Sequence, residues 1–70
     1  MSSNLQNRLR ELRQSGAGMT QQELANLVGV SRQTIISIES CKYSPSLELA
    51  IRISDQLGKD ITEIFWLEEK

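Results

Sequence analysis

The segment Gly29-Val30-Ser31 constrains the fold of this chain more than any other feature of the sequence. A short turn that contains glycine joins two helices at close to a right angle, because glycine lacks a Cβ and accepts positive φ. Thr20 and Ser31 are suitable N-caps for the two helices, and the glutamate three residues after Thr20 completes a capping box. The sequence therefore predicts a helix over residues 21–28, a sharp turn, and a second helix over residues 32–40.

The residues before this motif predict one further helix. Leucines recur at helical spacing between residues 4 and 14, which predicts a helix over residues 4–14. Gly16 and Gly18 follow, and we expect them to end it, because glycine-rich stretches interrupt helices. This would place one amphipathic helix ahead of the motif.

The residues after the motif predict two helices, over residues 47–57 and 61–67. A serine or an aspartate precedes each of them as an N-cap. The broad apolar face of the first consists of Leu47, Ala50, Ile51, Ile53 and Leu57, and Leu47 and Ile51 are expected in the core. There is no strand-like alternation of useful length. We therefore expect an all-α fold, a compact five-helix bundle that forms one domain over residues 1–70.

Composition limits the chemistry of the chain. It has no histidine and one cysteine, Cys41, which removes most metal sites, an internal disulfide and all His-dependent catalysis. No paired carboxylates, nucleophile–base pair or phosphate loop is present, so we expect neither an enzyme nor a cofactor. No apolar run is long enough to span a membrane and no signal-peptide core is present, which favours a soluble cytoplasmic protein.

The charge is weak overall but unevenly distributed. The formal net charge is −1, which by itself argues against a general nucleic-acid binder. Residues 1–42 contain five basic and three acidic side chains, whereas residues 43–70 contain three basic and six acidic ones. Any nucleic-acid surface is therefore expected in the first part, with more reliance on specific contacts than on bulk charge.

The stretch from Leu9 to Leu67 resembles the Cro/C1-type (Xre-like) helix-turn-helix regulators, which include phage repressors. The residues that carry the resemblance are Leu12-Arg13, Met19 to Ala25, Gly29 to Ile35, Ile38-Glu39, Lys42 to Leu47 and Ile61 to Phe65. The resemblance implies a lambda-repressor-like fold and a double-stranded DNA partner. It also implies a transcriptional regulator, as a homodimeric repressor associated with the nucleoid, without a small-molecule ligand or a membrane partner.

The resemblance places base contacts at the start of the helix over residues 32–40, which such proteins insert into the major groove. On this chain the positions are Arg32, Gln33 and Ser37. Arginine suits guanine and glutamine suits adenine through paired hydrogen bonds. Ile36 points outward in the same register, either to touch a thymine methyl or simply as an exposed apolar side chain.

The resemblance also implies contacts to DNA phosphates, which fix register without reading sequence. These fall on Gln21, Lys42 and Ser44, and Thr34 suits either role. Each of these polar residues also has an ordinary interpretation as a solvated surface side chain.

Arg13 and Glu39 match a buried or half-buried ion pair of relatives and are expected to brace the fold. Two positions depart from the family. Cys41 stands where relatives usually have glycine, so the loop either takes another path or is strained. The connection from Ser15 to Met19 is about one residue longer than usual.

The C-terminal residues are unusually apolar for so short a helix. Because a small body cannot bury all of them, some are expected to form a dimer interface. The residues assigned to it are Ile61, Ile64, Phe65, Trp66 and Leu67. Two alternatives to a DNA-binding regulator remain open: a protein-interaction adaptor, favoured by the near-neutral charge, and an antitoxin with a toxin-binding surface.

Overall fold

The computed structural model describes the backbone of residues 3–69 and the side chains of residues 4–68, so the outermost residues of the expected domain lie outside the described part. A strand, β1, precedes the helical elements of the body, and a second strand, β2, ends the described chain. In chain order the elements are β1 (Ser3–Asn7), α1 (Leu9–Glu11), a π-helix (Leu12–Ala17), α2 (Gln21–Val28), α3 (Arg32–Glu39), α4 (Leu47–Leu57), α5 (Ile61–Ile64) and β2 (Phe65–Glu69).

The helix-turn-helix formed by α2 and α3 confirms the prediction from the caps. Thr20 Oγ1 accepts a hydrogen bond from the Glu23 N–H at 3.0 Å, and the Thr20 N–H donates to the Glu23 carboxylate at 2.8 Å. Ser31 Oγ accepts from the Thr34 N–H at 3.2 Å and caps α3. Gly29 lies in the left-handed region at φ 79°, so the turn begins where glycine permits it.

The predicted first helix is wrong at both ends. Residues Ser3–Asn7 form β1 instead, because they pair with a distant strand, which helical spacing alone does not reveal. The Asn7 side chain accepts a hydrogen bond from the Leu9 N–H at 3.0 Å, so the helix starts after Asn7. It then runs through Gly16 as a π-helix and ends at Gly18, whose φ is 66°.

The last predicted helix is too long, and the all-α expectation is corrected accordingly. Helix α5 ends at Ile64, and residues Phe65–Glu69 form β2, antiparallel to β1 with Leu5 opposite Leu67 and Gln6 opposite Trp66. This pair of strands is called the terminal ribbon below. It adds a two-stranded sheet to a body that is otherwise helical.

Helix α4 buries only part of the apolar face predicted for it: Ala50 and Ile53 are buried and Leu57 is half-buried. Leu47 is 72 % exposed and Ile51 is 45 % exposed, whereas Leu49 and Ile53 are buried. Apolar residues lie on both sides of this helix, and only packing against the other helices selects one side. The core therefore consists of Leu9, Leu24, Ala25, Val28, Ile35, Ile38, Leu49, Ala50, Ile53, Ile64 and Phe65.

Candidate nucleic-acid interface

The outward side of α3 presents the residues assigned to base contacts. Arg32 and Gln33 are exposed at its amino end, and Ile36 and Ser37 are half-buried one turn further along. The opposite side of the helix is buried through Ile35 and Ile38, which fixes the rotation of α3 on the body. One face of α3 thus carries two long polar side chains, an isoleucine and a serine hydroxyl.

The ion pair between Arg13 and Glu39 is present and buried. Arg13 Nε lies 2.6 Å from Glu39 Oε2, and both side chains are 6 % exposed. Arg13 also donates through Nη2 to Glu39 Oε1 at 3.2 Å and through Nη1 to the Met19 carbonyl at 2.8 Å. One guanidinium thus joins the π-helix, the start of α2 and the end of α3.

Gln21 is part of this network. Its Nε2 donates to Glu39 Oε1 at 3.1 Å, so the side chain is committed to protein in the free chain. Its backbone N–H, with that of Gln22, belongs to the first turn of α2 and has no partner within the helix. A phosphate contact at Gln21 would therefore use the backbone N–H, aided by the positive end of the helix dipole.

Thr34 lies within the cap of α3 rather than on its outward face. Its hydroxyl is 3.0 Å from Ser31 Oγ, and the residue is half-buried. This position suits a contact to the DNA backbone beside the amino end of α3 better than a contact to a base, because the capping serine lies next to it.

The loop after α3 resolves the alternatives for Cys41. Its φ is 63°, so the loop keeps the path that glycine permits and holds a cysteine in the left-handed region. The Cys41 N–H donates to the Ile38 carbonyl at 3.0 Å, and the Lys42 N–H donates to the Ser37 carbonyl at 2.9 Å. This is a Schellman motif, and it leaves Lys42 and Ser44 exposed beyond the end of α3.

The segment before α2 forms a π-helix over Leu12–Ala17. A π-helical turn spans one more residue than an α-helical turn, because each N–H bonds to the carbonyl five residues earlier. Gly18 closes this segment with a hydrogen bond from its N–H to the Arg13 carbonyl. Arg13, the second residue of this π-helix, makes the ion pair with Glu39.

Three polar residues beside this interface were not predicted from the sequence: Arg10, Gln14 and Gln22, which line a cleft together with Arg32 and Ile36. The spacing of residues in the sequence could have identified two of them, Arg10 and Gln14. Leu9 and Arg13 are buried four residues apart, and Arg10 and Gln14 follow them directly at the same spacing, so they share one side of the first helical segment.

The five residues assigned to a dimer interface divide into two groups. Ile64 and Phe65 are buried in the core of one chain, and Ile61 is half-buried. Trp66 is 39 % exposed and Leu67 is 59 % exposed. The Arg8 guanidinium lies over the Trp66 ring, 5.0 Å from its centroid, which is a cation–π contact within the chain.

The fold and this surface define a helix-turn-helix protein, and comparison with known proteins identifies its family. The family model described as helix-turn-helix matches residues 9–64. The chain belongs to this family, in its Cro/C1-type branch, whose members are typically non-enzymatic DNA-binding proteins. Among residues 3–69, no helix is both long and apolar enough to cross a membrane.

Relatives from bacteria and archaea resemble most of the chain. An uncharacterized HTH-type transcriptional regulator of Methanothermobacter thermautotrophicus is 58% identical over 53 residues, which cover 74% of this chain and 77% of that protein. The uncharacterized HTH-type transcriptional regulator YgzD of Bacillus subtilis is 41% identical over 66 residues, covering 94% of this chain and 98% of that protein. The chain is thus similar in length to its relatives.

Proposed function

We propose that the chain is a sequence-specific repressor of transcription that inserts α3 into the major groove of double-stranded DNA. The observation that carries this proposal is the exposed outward face of α3, held in one orientation by the buried pair of Arg13 and Glu39. A rigid helix that presents long polar side chains at its amino end is what the groove admits. The repressor role rests on the resemblance to phage repressors.

Two side chains carry most of the proposed sequence selectivity. Arg32 donates to guanine O6 and N7, and Gln33 pairs with adenine N6 and N7. Ser37 and Ile36 lie one turn further along, where a hydroxyl contacts a base edge and an apolar group packs on a thymine methyl. The near-neutral net charge supports this emphasis, because the chain has little bulk attraction for DNA.

The remaining assigned residues contact the DNA backbone on both sides of α3. Gln21 contributes its backbone N–H at the amino end of α2, and Thr34 lies beside the cap of α3. Lys42 and Ser44 lie in the exposed loop that follows α3. Contacts at both ends of a helix fix its depth and angle in the groove without reading sequence.

We propose further that two copies act together in the cytoplasm, at the nucleoid, on a palindromic site with half-sites about one DNA turn apart. The exposed part of the C-terminal cluster supports a dimer surface. Leu67 pairs with Leu5 across the ribbon, and this face continues from the buried Phe65 beyond the body of one chain. Leu67 is the exposed part of this face, whereas Trp66 alternates to the opposite face of β2, under the Arg8 guanidinium, and the half-buried Ile61 lies on α5.

The test of DNA reading is selection of preferred sequences from random duplexes, followed by affinity measurements at fixed salt. Arg32→Ala and Gln33→Ala should each lower affinity for the selected site by about 1–3 kcal/mol and relax the preference at one base pair. Arg52→Ala is the matched control, because Arg52 is exposed on α4 in a surface ion pair. A wild-type protein without selectivity over bulk DNA at moderate salt would contradict the proposal.

The test of the dimer is the molar mass in solution by light scattering. The wild-type protein should have twice the mass of one chain, and Leu67→Glu should return it to the mass of a monomer while circular dichroism stays unchanged. Leu47→Glu, at a leucine on α4 that is even more exposed than Leu67, should leave the dimer intact. If Leu67→Glu remains dimeric, the ribbon is not the interface.

A further inference from the structure

A cleft separates the first helical segment from α3, and it is called the arginine cleft below. One side is formed by α1 and the π-helix, the other by α3, and the first turn of α2 closes one end. The residues that line it are Arg10, Arg13, Gln14, Thr20, Gln21, Gln22, Arg32, Ile36, Glu39 and Ser40.

The arginine cleft is positive although the chain as a whole is negative. Three arginines and one glutamate line it, which gives a net charge of +2 against −1 for the whole chain. The Glu39 carboxylate accepts hydrogen bonds from Arg13 and Gln21, and the Arg13 guanidinium neutralises its charge. Within the part of the chain that the structure describes, no carboxylate lies within ion-pair distance of Arg10 or Arg32.

The other groups that line the arginine cleft are mostly neutral hydrogen-bond donors. Gln14 carries an amide and Thr20 a hydroxyl, whereas the Ser40 hydroxyl already donates to the Ile36 carbonyl; α2 directs the free backbone N–H groups of its first turn to one end. Cationic side chains, neutral donors and a helix amino end are the groups that proteins use for DNA phosphates. A cleft of this composition is therefore suited to a sugar–phosphate strand.

We propose that Arg10 binds a phosphate of the same duplex that α3 reads, so that one DNA strand lies in the arginine cleft. This inference rests on the proposed function and adds a contact from the first helical segment. Arg10 lies across the cleft from Arg32, outside α3. Since α3 occupies the groove, a side chain on the facing wall meets the backbone strand that borders the groove.

The experiment compares Arg10→Gln with Lys59→Gln by measuring affinity for a duplex selected by the wild-type protein, from 50 to 200 mM salt. Both variants remove one positive charge, but Lys59 lies between α4 and α5, away from the cleft. Arg10→Gln should lower affinity about tenfold at low salt, equally for selected and unrelated duplexes. It should also reduce the salt dependence by about 0.9 in log–log slope, and Lys59→Gln should change neither.

Arg10→Lys keeps the charge and should keep most of the salt slope, which separates a phosphate contact from a change in folding. If Arg10→Gln behaves as Lys59→Gln while Arg32→Ala still relaxes selectivity, the Arg10 contact is wrong and the proposed function stands. If Arg10→Gln changes the preference between sequences, Arg10 reads bases and the phosphate assignment is overturned. If the wild-type protein selects no duplex, the proposed function itself fails.

Discussion

The helix-turn-helix of α2 and α3 and the terminal ribbon are stabilised by interactions of different range. In the helix-turn-helix, the residue directly before each helix caps it through its side chain, and a glycine in the left-handed conformation ends α2. In the ribbon, Ser3–Asn7 pairs with Phe65–Glu69, some sixty residues away in sequence. Local signals therefore specify the first region, whereas only the assembled fold specifies the second.

The two regions are connected at the end of α3. Asn7, the last residue of β1, donates from Nδ2 to the Ile38 carbonyl at 2.8 Å, and its Oδ1 accepts the Leu9 N–H. Arg13 makes the other long-range connection to α3, through Glu39. The orientation of the proposed reading helix thus depends on Asn7 and Arg13, which both precede the helix-turn-helix in sequence.

The largest expected effect is the loss of the buried ion pair. Glu39→Gln should lower the free energy of unfolding by about 3 kcal/mol, because it leaves the Arg13 guanidinium buried without a counter-charge. Glu48→Gln, which breaks the exposed pair with Arg52, should cost less than about 0.5 kcal/mol. Urea denaturation followed by circular dichroism measures both, and equal costs would show that burial does not distinguish the two pairs.

A smaller effect is expected at the connection between the ribbon and α3. Asn7→Ala should cost about 1–2 kcal/mol, because it removes one hydrogen bond to the Ile38 carbonyl and another from the Leu9 N–H. Asn4→Ala, on the same strand but exposed, is the control and should be close to neutral. The same denaturation experiment applies. A neutral Asn7→Ala would mean that the ribbon is not coupled to the helical body through this side chain.

The smallest expected effect has the opposite sign. Cys41→Gly should raise the free energy of unfolding by about 0.5–1 kcal/mol, because glycine adopts the left-handed conformation without a steric cost. Cys41→Ala keeps the Cβ and should not stabilise the protein. Thermal unfolding should show an increase of several degrees for the glycine variant alone. An unchanged midpoint would mean that the contacts of the thiol offset the strain at this position.

The sequence was sufficient for α2, the turn and α3, because the signals lie within a few residues of the structure they determine. It also singled out Cys41 as a position that suits glycine, and the left-handed φ of Cys41 agrees with that. It was not sufficient for β1, because Leu5 fits the spacing of a helix and equally one face of a strand. Only the pairing with Leu67 decides between them.

The arginine cleft, like β1, could not be predicted from local sequence signals. The outward residues of α3 follow from the position of its cap, whereas Arg10 and Gln14 become neighbours of Arg32 only after the Arg13 side chain reaches Glu39. The sequence also assigned Ile64 and Phe65 to a dimer interface. The spacing also indicated Ile64 as a core residue, but nothing indicated that the chain would turn from helix to strand at Phe65 and bury that side chain.

The central claim is that the helix-turn-helix, and not the ribbon, contacts DNA. Amide chemical shifts of the ¹⁵N-labelled protein, titrated with the selected duplex, test it most directly. We expect the largest changes on residues 20–22 and 31–37 and on the loop at residues 42–44. The amides of Asn4–Asn7 and Phe65–Glu68 should change little. Changes concentrated in the ribbon, with α3 unaffected, would contradict the account.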